Sequence, residues 1–162
     1  MLMKIRNNKL LIIPLIVCMI LQLTYIPASA YSARTSAPDG GNSYFYSNSN
    51  PFYAAGFTGQ CTWYAFGRAY EILGSRPKLS TGNANKWYSY NQQNGYYNYG
   101  TEPRVGAIAC YNNHVAVVEN ITNGVAYVSE FNNGGDRSFH YRKYNEWGAY
   151  PNGYIYITND GG

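Results

Sequence analysis

VGAIACYNNHVAVVENITNGVAYVSEF, residues 105–131, is rich in β-branched side chains between short polar breaks. It predicts strands at Val105–Cys110, His114–Glu119 and Val125–Phe131. The breaks Tyr111-Asn112-Asn113 and Thr122-Asn123-Gly124 are short enough to make these strands an antiparallel meander. Two more strands are expected downstream, at Ser138–Tyr144 and Gly153–Thr158. Upstream the period changes. Trp63, Phe66, Tyr70 and Leu73 recur at three- and four-residue spacing, which predicts a helix over Cys61–Leu73 closed by Gly74. A second helix is expected from about Thr81, with Ala84, Trp87 and Tyr88 on one side, running into the polar stretch Asn91–Gly95. Helices first and strands afterwards predict an α+β domain, with N-terminal helices packed on an antiparallel sheet of about five strands. Trp63 and Trp87 are expected in its core rather than as platforms for sugars.

The first thirty residues carry the marks of an export signal. Lys4, Arg6 and Lys9 precede an apolar run from Leu10 to Ile26, and Ala28-Ser29-Ala30 offers a cleavage site after Ala30. A retained anchor is the alternative, since the run is nearly long enough to span a bilayer. A lipid attached at Cys18 is disfavoured by the bulky Val17. Residues 31–50, rich in Ser, Asn, Gly and Tyr, are expected to form a flexible lead-in, and residues 51–162 the single domain. Three of the twelve basic residues and none of the eight acidic ones lie in the export segment, so the exported part is close to neutral at +1. No Lys/Arg cluster remains to follow a phosphate backbone, which argues against a nucleic-acid partner. The nineteen tyrosines suit half-buried strands or a surface that meets glycans and peptides.

Cys61 and Cys110 stay with the exported chain, either as a disulfide or with one thiol free for function. A zinc site from Cys61, Cys110, His114 and Glu130 is a further alternative, weakened by the lack of a C-x-x-C pair. Cys61 sits at the start of the expected helix, where unpaired N–H groups and the helix dipole favour a thiolate. Only His114 and His140 could supply an imidazole. If Thr122-Asn123-Gly124 is a three-residue loop, Ile121 pairs with Val125, His114 faces Asn132 and Ala116 faces Glu130, with all four side chains on one side of the sheet. A two-residue turn would send Glu130 to the opposite side. Given the odd loop, Glu130 or Asn132 can accept a hydrogen bond from the second ring nitrogen of His114 and fix its tautomer. The same reading of Tyr111–Asn113 places Cys110 opposite His114. Blander readings leave Glu130 as a solvated strand residue and Asn132 as part of a turn with Asn133-Gly134-Gly135. His140, Glu119 and Asp136 read as ordinary surface positions.

Several segments together resemble the CHAP domains, the cysteine- and histidine-dependent amidohydrolases and peptidases of the papain-like (NlpC/P60-type) group. Gly59-Gln60-Cys61-Thr62-Trp63-Tyr64-Ala65 is similar to the family's nucleophile segment, and Gly82-Asn83-Ala84-Asn85-Lys86-Trp87 to its second helix. Pro103–Ile108 resembles its first core strand, while Asn113–Glu119 and Val128–Asn132 resemble its histidine and acidic strands. The resemblance runs from about Phe52 to Ile157. It implies a papain-like fold with Cys61 as nucleophile, His114 as base, Glu130 as orienting acid and Asn132 as a further active-site residue. Oxyanion donors would come from the Cys61 backbone amide and Gln60. It further implies a secreted, wall-associated peptidoglycan hydrolase, cutting an amide as an N-acetylmuramoyl-L-alanine amidase or an endopeptidase. Such a protein would act as a monomer, without stable membrane insertion once the signal is removed. No metal or organic cofactor is expected, and the aspartate-rich calcium loop of some members has no counterpart here. The alternatives are a non-catalytic wall-binding surface protein and an amidase toxin with another amide target.

Overall fold

The computed structural model describes residues 31–158; the export signal expected over residues 1–30 lies outside the described residues. Three α-helices, α1 (Pro51–Ala54), α2 (Cys61–Leu73) and α3 (Trp87–Asn94), precede strands β1 (Asn98–Gly100), β2 (Ile108–Cys110), β3 (Val115–Thr122), β4 (Val125–Phe131), β5 (Phe139–Lys143) and β6 (Gly153–Tyr156). The strands form one antiparallel sheet in the order β1-β6-β2-β3-β4-β5. The α+β class is therefore as expected, with six strands rather than five. The additional strand is β1, and the first expected strand shortens because Gly106, at φ +83°, turns the chain just before β2. No helix among the described residues is long and apolar enough to cross a membrane.

Both faces of the central strands are covered. Trp63, Tyr64 and Phe66 of α2 pack with Ile108, Val115, Val117 and Ile155 on one face. Ala109, Ala116, Val118, Val128 and Tyr154 cluster on the other. Trp63 and Trp87 are fully buried, as their place in the helical pattern predicts. Residues 31–50 do not stand off as a flexible lead-in: their contacts tie them to α2. Phe45 is fully buried and its carbonyl accepts from the Trp63 indole at 2.8 Å. A Cβ at Gly67 would meet the Phe45 ring at 2.5 Å, so the close approach requires a glycine there. Asn50 caps α1 by accepting from the Phe52 amide and donates to the Trp63 carbonyl at 3.0 Å.

The β3–β4 hairpin corrects the expected loop and explains why the expected register still holds near the strand ends. Thr122 faces Val125, so the connection is the two-residue turn Asn123-Gly124, with φ values of 51° and 75°. Positive φ at both positions is the mark of a type I′ turn, which Asn-Gly favours. Alone, this turn would put Glu130 on the wrong face. Between Val118 and Asn120 the register shifts by one residue, and beyond that bulge Val117 faces Ser129 and Val118 faces Val128. Glu119 is the extra residue, and it supplies the offset that an odd loop would give. The β2–β3 connection is also shorter than expected. Cys110 pairs with Val115, and Tyr111 donates its amide to the His114 carbonyl at 2.8 Å. Cys110 therefore packs into the helix-side core instead of facing His114.

Glu119, expected on the surface, is buried because the bulge turns it toward α2. Arg68 donates to it through Nε and Nη2, both at 2.9 Å, and Ser129 Oγ donates at 2.6 Å. The Tyr31 hydroxyl and the Arg34 amide complete the shell. Removing one partner of such a pair leaves the other charge buried, whereas replacing both with apolar groups is far milder. Glu119→Ala is expected to cost about 3–5 kcal/mol in urea unfolding, and an Arg68→Met/Glu119→Leu double change substantially less.

Candidate active site

Each polar group of the site is set in place by a different element. Cys61 is the first residue of α2, after Gln60 at the N-cap with extended backbone. The Gln60 carbonyl accepts from Tyr64, and no side chain caps the helix, so the amides of the first turn keep their donor capacity. His114 immediately precedes β3, and Glu130 lies near the end of β4, on the face that the bulge restores.

Glu130 is completely buried and fully paired. Its Oε2 accepts from His114 Nε2 at 2.9 Å and from Arg142 Nη2 at 2.8 Å. Its Oε1 accepts from Arg142 Nε at 2.7 Å and Asn133 Nδ2 at 2.8 Å. Burial by itself would raise the carboxyl pKa, but His114 and Arg142 outweigh it and hold Glu130 below the usual carboxylate range. With Nε2 committed to Glu130, Nδ1 is the nitrogen left for a reacting group. Burial also disfavours the charged imidazole, yet interactions with the Cys61 thiol and with Glu130 push the His114 pKa up to about 9.

Of the two candidates for orienting the imidazole, the structure brings Glu130 to it. Asn132, at φ 60°, accepts the Arg137 amide through Oδ1 at 2.8 Å and donates through Nδ2 to Gln60 Oε1 at 2.6 Å. Because Asn132 must present its nitrogen to Gln60, Gln60 presents its oxygen, and its Nε2 makes no hydrogen bond among the described residues. Asn132 thus positions the residue before the cysteine. Cys61 and Cys110 are both free thiols, and burial pushes the Cys110 thiol well up. Among the described residues no cluster of His, Cys, Asp and Glu is arranged to hold a metal ion.

Arg142 was not legible as a site residue. It pairs across the β4–β5 ladder with Val128, two residues from Glu130 and on the same face. Trp147 covers the guanidinium, with 4.4 Å from Cζ to a ring centroid. It stands beside His140 and Lys143 in the polar strand Phe139–Lys143, so no pattern singles it out, and the irregular connection 132–138 hid which strand position it faces. A cleft of about 520 Å³ opens beside His114, with Tyr111, Asn132 and Trp147 among its walls, while Cys61 lies outside this lining.

Residues 32–132, more than half of the chain, match the CHAP domain family. The chain belongs to the CHAP domain family. Its six-stranded sheet with helices against one face is the papain-like α+β arrangement that membership implies, and the match begins well before residue 51. The CHAP chain is 40% identical over 82 residues to the staphylococcal secretory antigen SsaA of Staphylococcus aureus strain NCTC 8325 / PS 47, an alignment covering 48% of this chain and 30% of that protein. The secretory antigen ssaA1 of strain COL aligns with the same identity and coverage. The chain thus spans about a third of the length of these relatives. A crystal structure of an N-acetylmuramoyl-L-alanine amidase from Staphylococcus aureus superposes with a TM-score of 0.47 at 27% identity, covering 60% of this chain and 30% of that one.

Proposed function

We propose that this CHAP domain hydrolyses an amide bond of bacterial peptidoglycan, with Cys61 as nucleophile, His114 as acid and base, and Glu130 as the group that orients the imidazole. The observation that carries this reading is the buried His114–Glu130 contact, with the Cys61 thiol as the imidazole's other neighbour. Proton transfer from Cys61 to His114 gives a thiolate that attacks the amide carbonyl. The developing oxyanion meets the Cys61 backbone N–H and the free Gln60 Nε2. The imidazolium then protonates the departing nitrogen, the C–N bond breaks, and a thioester remains on Cys61. Water, deprotonated by His114, attacks that thioester; the C–S bond breaks and the acid is released. Glu130 keeps Nε2–H paired throughout, so Nδ1 carries the proton traffic.

The relatives' description as secretory antigens supports an exported protein; association with the wall and cleavage after Ala30 belong to the same proposal. Family membership supports peptidoglycan as substrate. Purified cell walls digested with the full chain, followed by mass spectrometry of the soluble fraction, test the reading and identify the bond. An amidase frees whole stem peptides from the glycan, and an endopeptidase frees peptide fragments with new termini. Release of glycan pieces with intact peptides, or no release by reduced protein, would overturn it.

A further inference from the structure

We propose that the cleft beside His114 is the subsite for the amine side of the scissile amide, and that it takes an uncharged peptide segment. This rests on the Cys61–His114 reading above. In that chemistry the imidazole delivers its proton to the departing nitrogen, so whatever is attached to that nitrogen must extend over His114. The acyl portion instead lies against Cys61 and the start of α2. The cleft is lined by His114 and not by Cys61, which assigns it to the amine side.

Its chemistry defines the occupant. Among the described residues the one cationic side chain in the lining other than His114 is Arg142, and it is already spent on Glu130 and the Lys143 carbonyl. Among the described residues no carboxylate lines the cleft, so a charged side chain entering it would lose water without gaining a counter-ion. Two side-chain amides offer complementary groups. Asn112 accepts from Asn152 through Oδ1, which leaves its NH₂ as donor. Asn133 donates to Glu130 through Nδ2, which leaves its carbonyl as acceptor. One donor and one acceptor suit the C=O and N–H of a peptide backbone. Trp147 and Tyr150 add aromatic walls that are 49% and 64% exposed. Trp147 is held in place by Arg142 and by His140, whose ring centroid is 5.1 Å away, so the wall exists before substrate arrives.

The thioester on Cys61 can be intercepted by an amine in place of water. The amine nitrogen attacks the carbonyl, the C–S bond breaks, and the amine's proton passes through His114 to the sulfur. An amine that binds the cleft should compete better for this step. The experiment digests walls in the presence of glycinamide, of an uncharged tripeptide amide, and of the same tripeptide with an internal Asp or Lys. Mass spectrometry gives the ratio of aminolysis to hydrolysis products. The uncharged tripeptide is expected to capture the acyl group about tenfold more efficiently than glycinamide, an advantage that Trp147→Ala removes. Tyr150→Ala, which leaves Arg142 untouched, is expected to reduce it as well, with each variant's tripeptide capture taken relative to its own capture of glycinamide. Equal capture of the two uncharged amines by the wild type, including none, would overturn the assignment. So would an advantage that survives both variants, or one shared by the charged tripeptides. Digestion that persists in Cys61→Ala would instead remove the underlying mechanism.

Discussion

Cys61→Ala is expected to lower wall hydrolysis by a factor on the order of 10⁴ or more, with the fold intact. The thiol supplies the bond that splits one difficult acyl transfer into two easier ones, and without it only binding and oxyanion stabilisation remain. Cys61 is nearly buried at the start of α2, so removal of its sulfur leaves at most a small cavity. Turbidity loss of purified walls measures the rate, and circular dichroism melting separates lost chemistry from lost fold. A variant that folds and still clears walls at a tenth of the wild-type rate would remove Cys61 from the mechanism.

Glu130→Gln is expected to reduce turnover by about 10³–10⁴, the scale seen when the orienting carboxylate of a triad becomes an amide. The physical cause is a conflict of donors. Both Glu130 oxygens accept two hydrogen bonds each, from Arg142 with His114 and from Arg142 with Asn133. A glutamine must turn its NH₂ toward one of those pairs, so Arg142 meets another donor in either orientation and His114 or Asn133 loses its acceptor with it. The expected signature is a fall in kcat with an altered pH profile, because the imidazole loses the charge that favours its protonated form. A change confined to KM, or a loss matched by unfolding, would show Glu130 to be a structural residue only.

Much of this site was legible because local pattern and global fold agree at its key positions. The α2 helix follows from the spacing of Trp63, Phe66, Tyr70 and Leu73 and ends at Gly74, φ 63°. Strand β4 occupies Val125–Phe131, as its alternation requires. The shared face of His114 and Glu130 was anticipated through a three-residue loop, whereas the chain makes a two-residue turn and a bulge at Glu119. Turn chemistry at Asn123-Gly124 is local and readable. The bulged Glu119 pairs with Arg68, more than fifty residues away, and no periodicity reveals it. Long-range contacts account for the other misses. Phe45 is ordered by Gly67, Arg142 acts through Glu130, and the short polar strand β1 exists because β6 offers it an edge.

Titration of His114 tests most directly whether Cys61, His114 and Glu130 act as one unit. The charged ring gains its stabilisation in the folded state, so this contribution is fully present below about pH 6.5, the ordinary imidazole value, and is lost as pH rises through about 9. Nitrogen-15 NMR of the full chain should show the His114 ring titrating near pH 9. In Cys61→Ala and in Glu130→Gln the midpoint should fall, because burial, which disfavours the charged ring, then meets less opposition. A wild-type midpoint at or below 6.5, or one that neither substitution moves, would contradict the coupling of these three residues.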